Sequence, residues 1–310
     1  MSNTETRFPS LLGCKTNKRP REGELKITSL GVTSVLLDDG NTKLLLDGMV
    51  TRPSLIRVFM GSLNSEEALV QQYVRQLSMQ GLSAIFVSHS HYDHVLDVPN
   101  FSKLTGAKIY GSASTLNVAR GSDVPEDCLQ EFRAGDSFRV GDFSVEVFPA
   151  LHSEAKFLKD RPGTKIEVPL RMPCRRKYFT EGGSFDFLIT HHDTKLLFHP
   201  SCNFIPGLYE GMHADVLFMS VARIQKMDAL RREEHYRQML EMLAPRLVIP
   251  VHWDHFFLPV SQGRFTLPAY MDNVTAAIEE LIGRTADRHI ELKILPADTS
   301  LILTTKHIQV

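Results

Sequence analysis

The sequence predicts an α/β protein in which two β-sheets pack face to face with helices on the outside. Short apolar runs rich in β-forming residues fill both halves of the chain, and stretches with apolar residues at helical spacing interrupt them. The order helix, apolar strand, histidine occurs twice, at SAIFVSHSH and at RLVIPVHW. An amphipathic helix needs an apolar sheet to cover, so two strand-rich halves that each carry helices imply two packed sheets. With 43% hydrophobic and 23% charged residues, the chain can form a core and is too apolar for disorder.

Residues 1–23 are polar and contain KTNKRPRE, which reads as a mobile or surface-bound tail. No Gly/Ser-rich or Pro-rich linker divides the remainder, so residues 24–310 are expected to form a single domain. From Glu24, the runs ELKITSL, TSVLLDD and TKLLLD read as three strands of an antiparallel meander, turned at Gly31 and at DGN. Asn64 followed by Glu67 has capping-box spacing, and Leu69, Val70, Tyr73 and Leu77 then mark a helix stopped by Gly81. SAIFVS is a buried strand, and AKIYGS, SFRVGDFSVEVFPAL, FDFLIT, KLLFH and DVLFMS continue the strand pattern. REEHYRQMLEML is helical by spacing, RLVIPV is a buried strand, and NVTAAIEELIGR is a last helix before two closing strands. No short tandem period is present, which argues against a solenoid or propeller.

A formal net charge of -1 gives no overall attraction to nucleic acid or to an anionic membrane, so a small-molecule substrate is expected instead. No apolar run approaches the roughly 18 residues that would span a bilayer. Cys14, Cys128, Cys174 and Cys202 are scattered without a CxxC pair, which suggests free thiols rather than a disulfide framework or a thiolate zinc site. SLLGC at residues 10–14 is similar to the end of a lipoprotein signal, but MSNTETRFP supplies neither a basic start nor an apolar stretch. A cytoplasmic location is therefore expected, with export the alternative if the N-terminus is truncated, and the sequence carries no signal of oligomeric state.

The densest chemical feature is SHSHYDHV, residues 88–95. His89 and His91 are two apart just past a strand, so in extended backbone their side chains project to one side. Asp93 and His94 follow where the chain must turn and face the same space from another direction. Imidazole and carboxylate are ligands for Zn²⁺, and the absence of a nearby cysteine argues against a purely structural thiolate site.

HSHYDH resembles the signature of the metallo-β-lactamase superfamily, and the resemblance runs from about Glu24 to Thr304. It implies an αββα sandwich with a metal centre built from loops at one edge of the two sheets. By the family pattern, Asp47 in LLLDGM is a supporting carboxylate, and His152 in VFPALHS and His252 in VIPVHWDHF complete the ligand set. One metal would be held by His89, His91 and His152, and a second by Asp93, His94 and His252. Asp93 would also orient the nucleophile and help protonate the leaving group. The sequence departs from the pattern at Ser201 in KLLFHPSCNF, where family members commonly have an aspartate that bridges both metals. The second metal thereby loses an anionic anchor, leaving one or two ions as the expectation. Neighbouring Cys202 or His199 would contribute if the loop were displaced by a position or two. Asp47, Asp254 and His255 are the candidates to fix the outer nitrogens of the ligand imidazoles.

The implied chemistry is hydrolysis by a zinc-bound hydroxide, with manganese or iron as alternative metals. Within the superfamily, the motifs look closest to the ascorbate-phosphate lactonases and the phospholipase-D-like hydrolases of N-acyl ethanolamine lipids. An ester, lactone or phosphodiester substrate is expected. The alternatives are a zinc β-lactamase, which Ser201 supports, and a metal-binding or regulatory protein without turnover, suggested by the missing carboxylate. Residues 155–183 are rich in Arg, Lys and Pro, and Arg171, Arg175, Arg176 and Lys177 are candidates to bind an anionic group of the substrate. Phe256, Phe257 and Leu258, just past His252, either line the pocket or pack in the core.

Overall fold

The computed structural model describes residues 7–16, 18–153, 162–263 and 266–305. The meander expected at the start is present: β1 (Glu24–Gly31), β2 (Ser34–Asp38) and β3 (Lys43–Leu46) pair antiparallel in order. The turn between β2 and β3 is closed by Asp39 Oδ1, which accepts the backbone N–H groups of Asn41 and Thr42, while Gly40 takes φ +92°. Helix α1 (Leu55–Met60) and helix α2 (Glu67–Gln76) lead to β4 (Leu82–Phe86), which joins β3 in parallel. The short α3 (Tyr92–Val95), α4 (Val98–Thr105), β5 (Lys108–Gly111), α5 (Ala113–Gly121) and β6 (Leu129–Glu131) complete the first half.

The second half holds β7 (Ser137–Val140), β8 (Phe143–Ala150), β9 (Ser184–His191), β10 (Thr194–His199) and β11 (Val216–Ser220). It continues through α6 (Ala229–Tyr236), β12 (Leu247–Val251), α7 (Val274–Ala286), β13 (Glu291–Leu292) and β14 (Thr299–Thr304). Two seven-stranded sheets result, in the orders β14-β1-β2-β3-β4-β5-β6 and β13-β12-β11-β10-β9-β8-β7. Strand β14 returns to pair antiparallel with β1, so the end of the chain closes the first sheet.

Alternation along the strands sorts side chains between two cores. Leu37, Leu44 and Phe86 of the first sheet meet Phe143, Phe187, Phe198 and Phe218 of the second in one buried cluster. Phe86 and Phe187 touch edge to face across the gap, with ring centres 5.7 Å apart. Leu36, Leu45 and Ile85 point the other way, towards α2 and α4, as Leu217, Met219 and Val248 do on the second sheet towards α6 and α7. This is the two-sheet, helix-flanked architecture that the sequence predicts, the metallo-β-lactamase fold.

Three local expectations are corrected. Helix α2 begins at Glu67, and its N-cap is Glu66 rather than Asn64, with no side-chain cap bond. The approach to this helix is held from elsewhere: Ser65 donates to Asp97 Oδ1, and Glu66 N–H donates to Thr51 Oγ1 at 2.9 Å. The polar segment before Glu24 is not wholly a surface tail, because Phe8 is buried and Leu12 and Cys14 form bridges to Ile294 and Ser300. Finally, REEHYRQMLEML does not continue as one regular helix. After Tyr236 it widens into a π-helical segment, Arg237–Met242, which shifts the buried face to Gln238, Met239 and Leu240. Among the described residues, no helix is long and apolar enough to cross a membrane.

Candidate metal centre

Strands β3 and β4 run parallel in the first sheet. In the second, β8 and β10 are each antiparallel to β9, and β10, β11 and β12 are mutually parallel. The chain leaves β3, β4, β8, β10 and β12 close to Asp47, SHSHYDH, His152, Ser201 and His252, respectively. These segments meet at one edge of the sandwich, the place where open α/β sheets collect ligands at strand carboxyl ends.

Two triads form there. His89, His91 and His152 each present one nitrogen, and these atoms lie within 4.8 Å of one another; one atom each from Asp93, His94 and His252 does the same. The triads adjoin, with the His89 and His94 ring centres 3.7 Å apart. In the first triad His91 Nδ1 and His152 Nε2 approach to 3.2 Å. In the second, Asp93 Oδ2 is 3.1 Å from His252 Nε2 and 3.8 Å from His94 Nε2.

In the first triad the surroundings favour the neutral imidazole at His89 and His152. Burial, reinforced by the neighbouring histidines, holds His89 well below its ordinary pKa and lowers His152 to about 3. His252 behaves differently: burial opposes its charged form, but the Asp93 carboxylate bonded to it raises its pKa overall. Burial likewise works against ionised Asp93, and His94 and His252 overcome it and hold the carboxyl well below the usual range.

These residues fit a metal on two observations. His89 Nε2 is buried with no hydrogen-bond partner, an expensive arrangement for a polar atom unless something else occupies its lone pair. His94 is oriented as metal-binding histidines are, with its other nitrogen, Nδ1, 2.7 Å from Asp47 Oδ2 and its Nε2 turned to the triad. Asp47 is itself fixed, accepting from Thr33 Oγ1 at 2.8 Å, Ser88 N–H at 2.7 Å and Ser88 Oγ at 3.1 Å. Both Asp47 and His252 adopt left-handed backbone, at φ +53° and +58°. For non-glycine residues this conformation is uncommon and concentrates at functional sites.

A family profile described as a β-lactamase superfamily domain matches residues 43–253, more than half of the chain. The chain belongs to this family. It is a hydrolase of the metallo-β-lactamase superfamily, and it resembles relatives named for the same class. A UPF0173 metal-dependent hydrolase of Roseiflexus castenholzii is 23% identical over 192 residues, 62% of this chain and 71% of the relative. One from Pyrobaculum calidifontis is 25% identical over 256 residues, covering 82% of this chain and 94% of the relative. Among solved structures, Igni18, a metallo hydrolase from the archaeon Ignicoccus hospitalis, superposes with a TM-score of 0.57 at 14% identity. That superposition covers 91% of this chain and all of Igni18, and it supports the fold.

Other residues singled out in this β-lactamase superfamily chain are distributed unevenly around the site. Ser201 is buried and lines the cavity beside His152 and His252, where the sequence places it. His199 and Cys202 do not join it. His199 Nδ1 is bound 2.6 Å from Asp186 Oδ2 and its Nε2 faces His235, while the Cys202 thiol is buried in the apolar core, which raises its pKa. Asp254 and His255 also miss the ligand imidazoles. Asp254 instead bonds Arg52 and the N–H of Val32, whose carbonyl accepts from His252 N–H at 2.6 Å, and its charge also helps to raise the His252 pKa. His255 opens onto a separate small cavity with Arg52 and Asp254.

Of the basic segment, residues 154–161 lie outside the described residues. Arg176 reaches the cavity, whereas Arg171 and Arg175 are exposed and do not line it, and Lys177 lies over Tyr178. Phe256 and Phe257 line the cavity and Leu258 does not. Sequence reasoning missed Asp97, a buried carboxylate that accepts from the N–H groups of Val50 and Thr51 and from the hydroxyls of Thr51 and Ser65. It also missed Arg223 and Asp272, which line the cavity from the second half of the chain, with Arg223 N–H donating to Asp272 Oδ2 at 2.6 Å. Asp97 falls in HSHYDHVLD, where its nearness to the histidines was a usable signal; Arg223 and Asp272 carry none.

Proposed function

We propose that the protein is a metal-dependent hydrolase that uses two divalent ions, held respectively by His89, His91 and His152 and by Asp93, His94 and His252, to cleave a small oxygen ester. The observation that carries this reading is the meeting of two triads at one cavity, which all of their side chains but that of His89 line. A structural ion needs only four closed ligands, whereas two three-ligand groups leave positions open. Zinc is the metal these imidazole and carboxylate donors suit best, with manganese or iron as alternatives. When bound, such ions supply Lewis acidity that polarises an ester oxygen and activates water near neutral pH.

The chain's own contributions are positional and protonic. Asp47 accepts at His94 Nδ1, which favours the tautomer that turns the lone pair of Nε2 towards the triad. Asp93 Oδ2, beside His252 Nε2, is the oxygen placed to orient a water and to pass a proton towards the departing alcohol. Ser201 replaces a carboxylate with a neutral hydroxyl at the cavity wall, so the second triad relies on Asp93 for its negative charge. The likeness of the motifs to lactonases and phosphodiester hydrolases favours oxygen esters over β-lactam amides.

A panel of carboxylic esters, lactones, phosphodiesters and a chromogenic β-lactam, assayed on zinc-loaded protein before and after chelator treatment, tests the assignment. Turnover of an oxygen ester that disappears with the metal and returns on zinc addition is the expected result. Activity that survives complete metal removal would refute it.

A further inference from the structure

The cavity over the triads has a volume of about 150 Å³. An apolar space of roughly this size accommodates one benzene molecule. Val58 and Phe59 of α1, Phe179, Phe256, Phe257 and Leu267 give it an apolar lining. A sugar or other polyhydroxylated group laid against these apolar side chains would lose hydrogen bonds to water, a cost of about 1–3 kcal/mol for each group left unsatisfied. A long acyl chain would extend beyond this volume. A single ring or a compact acyl group meets both limits.

Polar anchoring comes from Arg176 at the same cavity. Its guanidinium carbon stands 5.4 Å from the centre of the Phe59 ring, and no carboxylate among the described residues pairs with it. A half-buried guanidinium stacked on an aromatic face keeps its fork of N–H donors for an incoming anion. Arg223 also lines the cavity, but its charge is met by Asp272 beside it, which leaves Arg176 as the site for the negative group.

We propose that the substrate class is an ester of an aromatic or comparably compact apolar group bearing one anionic substituent, with the ring against the phenylalanines of the cavity and the anion on Arg176. This rests on the hydrolase reading above. In the reaction, water adds across the ester: the acyl carbon gains a hydroxyl, its bond to the alcohol oxygen breaks, and that oxygen takes the proton.

Three acetates distinguish the terms: 4-carboxyphenyl acetate with ring and anion, phenyl acetate with the ring alone, and carboxymethyl acetate with the anion alone. On zinc-loaded enzyme, 4-carboxyphenyl acetate should have the highest kcat/KM, by about tenfold over either partner, chiefly through KM. Arg176→Met should reduce the carboxylated ring ester more than phenyl acetate, and Phe257→Ala should reduce both ring esters more than carboxymethyl acetate. Direct binding of 4-hydroxybenzoate, followed by calorimetry in wild type and Arg176→Met, separates this assignment from the chemistry. Turnover without discrimination among the acetates overturns the substrate class and leaves the hydrolase reading intact. Binding of 4-hydroxybenzoate that depends on Arg176, with no acetate hydrolysed, upholds the pocket assignment and counts against ester hydrolysis. Absence of both turnover and binding overturns the proposal outright.

Discussion

Asp47 makes four contacts that converge on one purpose, holding the His94 ring. Its two oxygens receive Thr33 Oγ1, Ser88 N–H, Ser88 Oγ and His94 Nδ1, so the side chain is fixed before any ion arrives. Asp47→Asn keeps the shape but removes the charge and disturbs the acceptor pattern. Its affinity for the second ion should fall about 10–100-fold while the fold persists, as outer partners of metal-binding histidines typically show. Competition with a chromogenic chelator, alongside circular dichroism, measures both; an unchanged affinity would remove Asp47 from this role. Asp47 was legible through the resemblance, whose pattern has a supporting aspartate at the end of an early strand, as in LLLDGM. Thr33 and Ser88 were not, since hydroxyl residues are common at strand ends and their partners are distant in sequence. The neighbours of Ser201 were misjudged for a geometric reason: His199 still belongs to β10 and is paired with Asp186, while Cys202 turns into the core.

Between β1 and β2 the chain makes a tight turn that carries the fixing of His252. Val32 takes φ +55°, its carbonyl accepts His252 N–H, and its N–H donates to Asp254, which Arg52 also holds. Gly31 sits over this clamp at φ +97°, and a Cβ there would lie 2.0 Å from Arg52 Nη2. Gly31→Ala should therefore destabilise the protein by about 1–3 kcal/mol, through backbone strain and displacement of Arg52. Urea unfolding monitors the loss, and a shift of only a few tenths would show that the turn tolerates a side chain. The central strands were readable as apolar runs, and α7 was readable as a helix in NVTAAIEELIGR, where the structure has Asn273 as the N-cap, accepting from Ala276 N–H. The start of α2 was not, because Asn64 has the right spacing but Ser65 and Glu66 are held by Asp97 and Thr51, which lie elsewhere in the chain. Local pattern identified elements; long-range hydrogen bonds set their ends.

Across the whole molecule, stability depends on buried histidines that fold in the neutral form. His235 lies fully inside, and burial, followed by the nearby His199 and Arg231, holds it well below its ordinary pKa of 6.5. Its neutral form is what the folded state accommodates, so its contribution is fully present above pH 6.5 and is lost as the pH falls below that value and the unfolded chain takes up the proton. The melting temperature of the metal-loaded protein should drop between pH 7 and pH 5, and less steeply in His235→Gln. Equal slopes for the two proteins would exclude His235 as a source. The overall architecture was legible because inter-sheet and helix-facing side chains alternate along the strands, as Leu36 and Leu37 show. The assignment of individual ligands to two triads came from the resemblance, and the folded geometry groups the same six side chains.

Metal content addresses that grouping most directly. Elemental analysis of the protein saturated with zinc and freed of excess should give two equivalents for wild type. His152→Ala should lose the ion of the first triad and His252→Ala that of the second, each variant retaining about one equivalent. Wild-type protein that binds no transition metal, or variants that both retain the full wild-type content, would contradict the two-triad account.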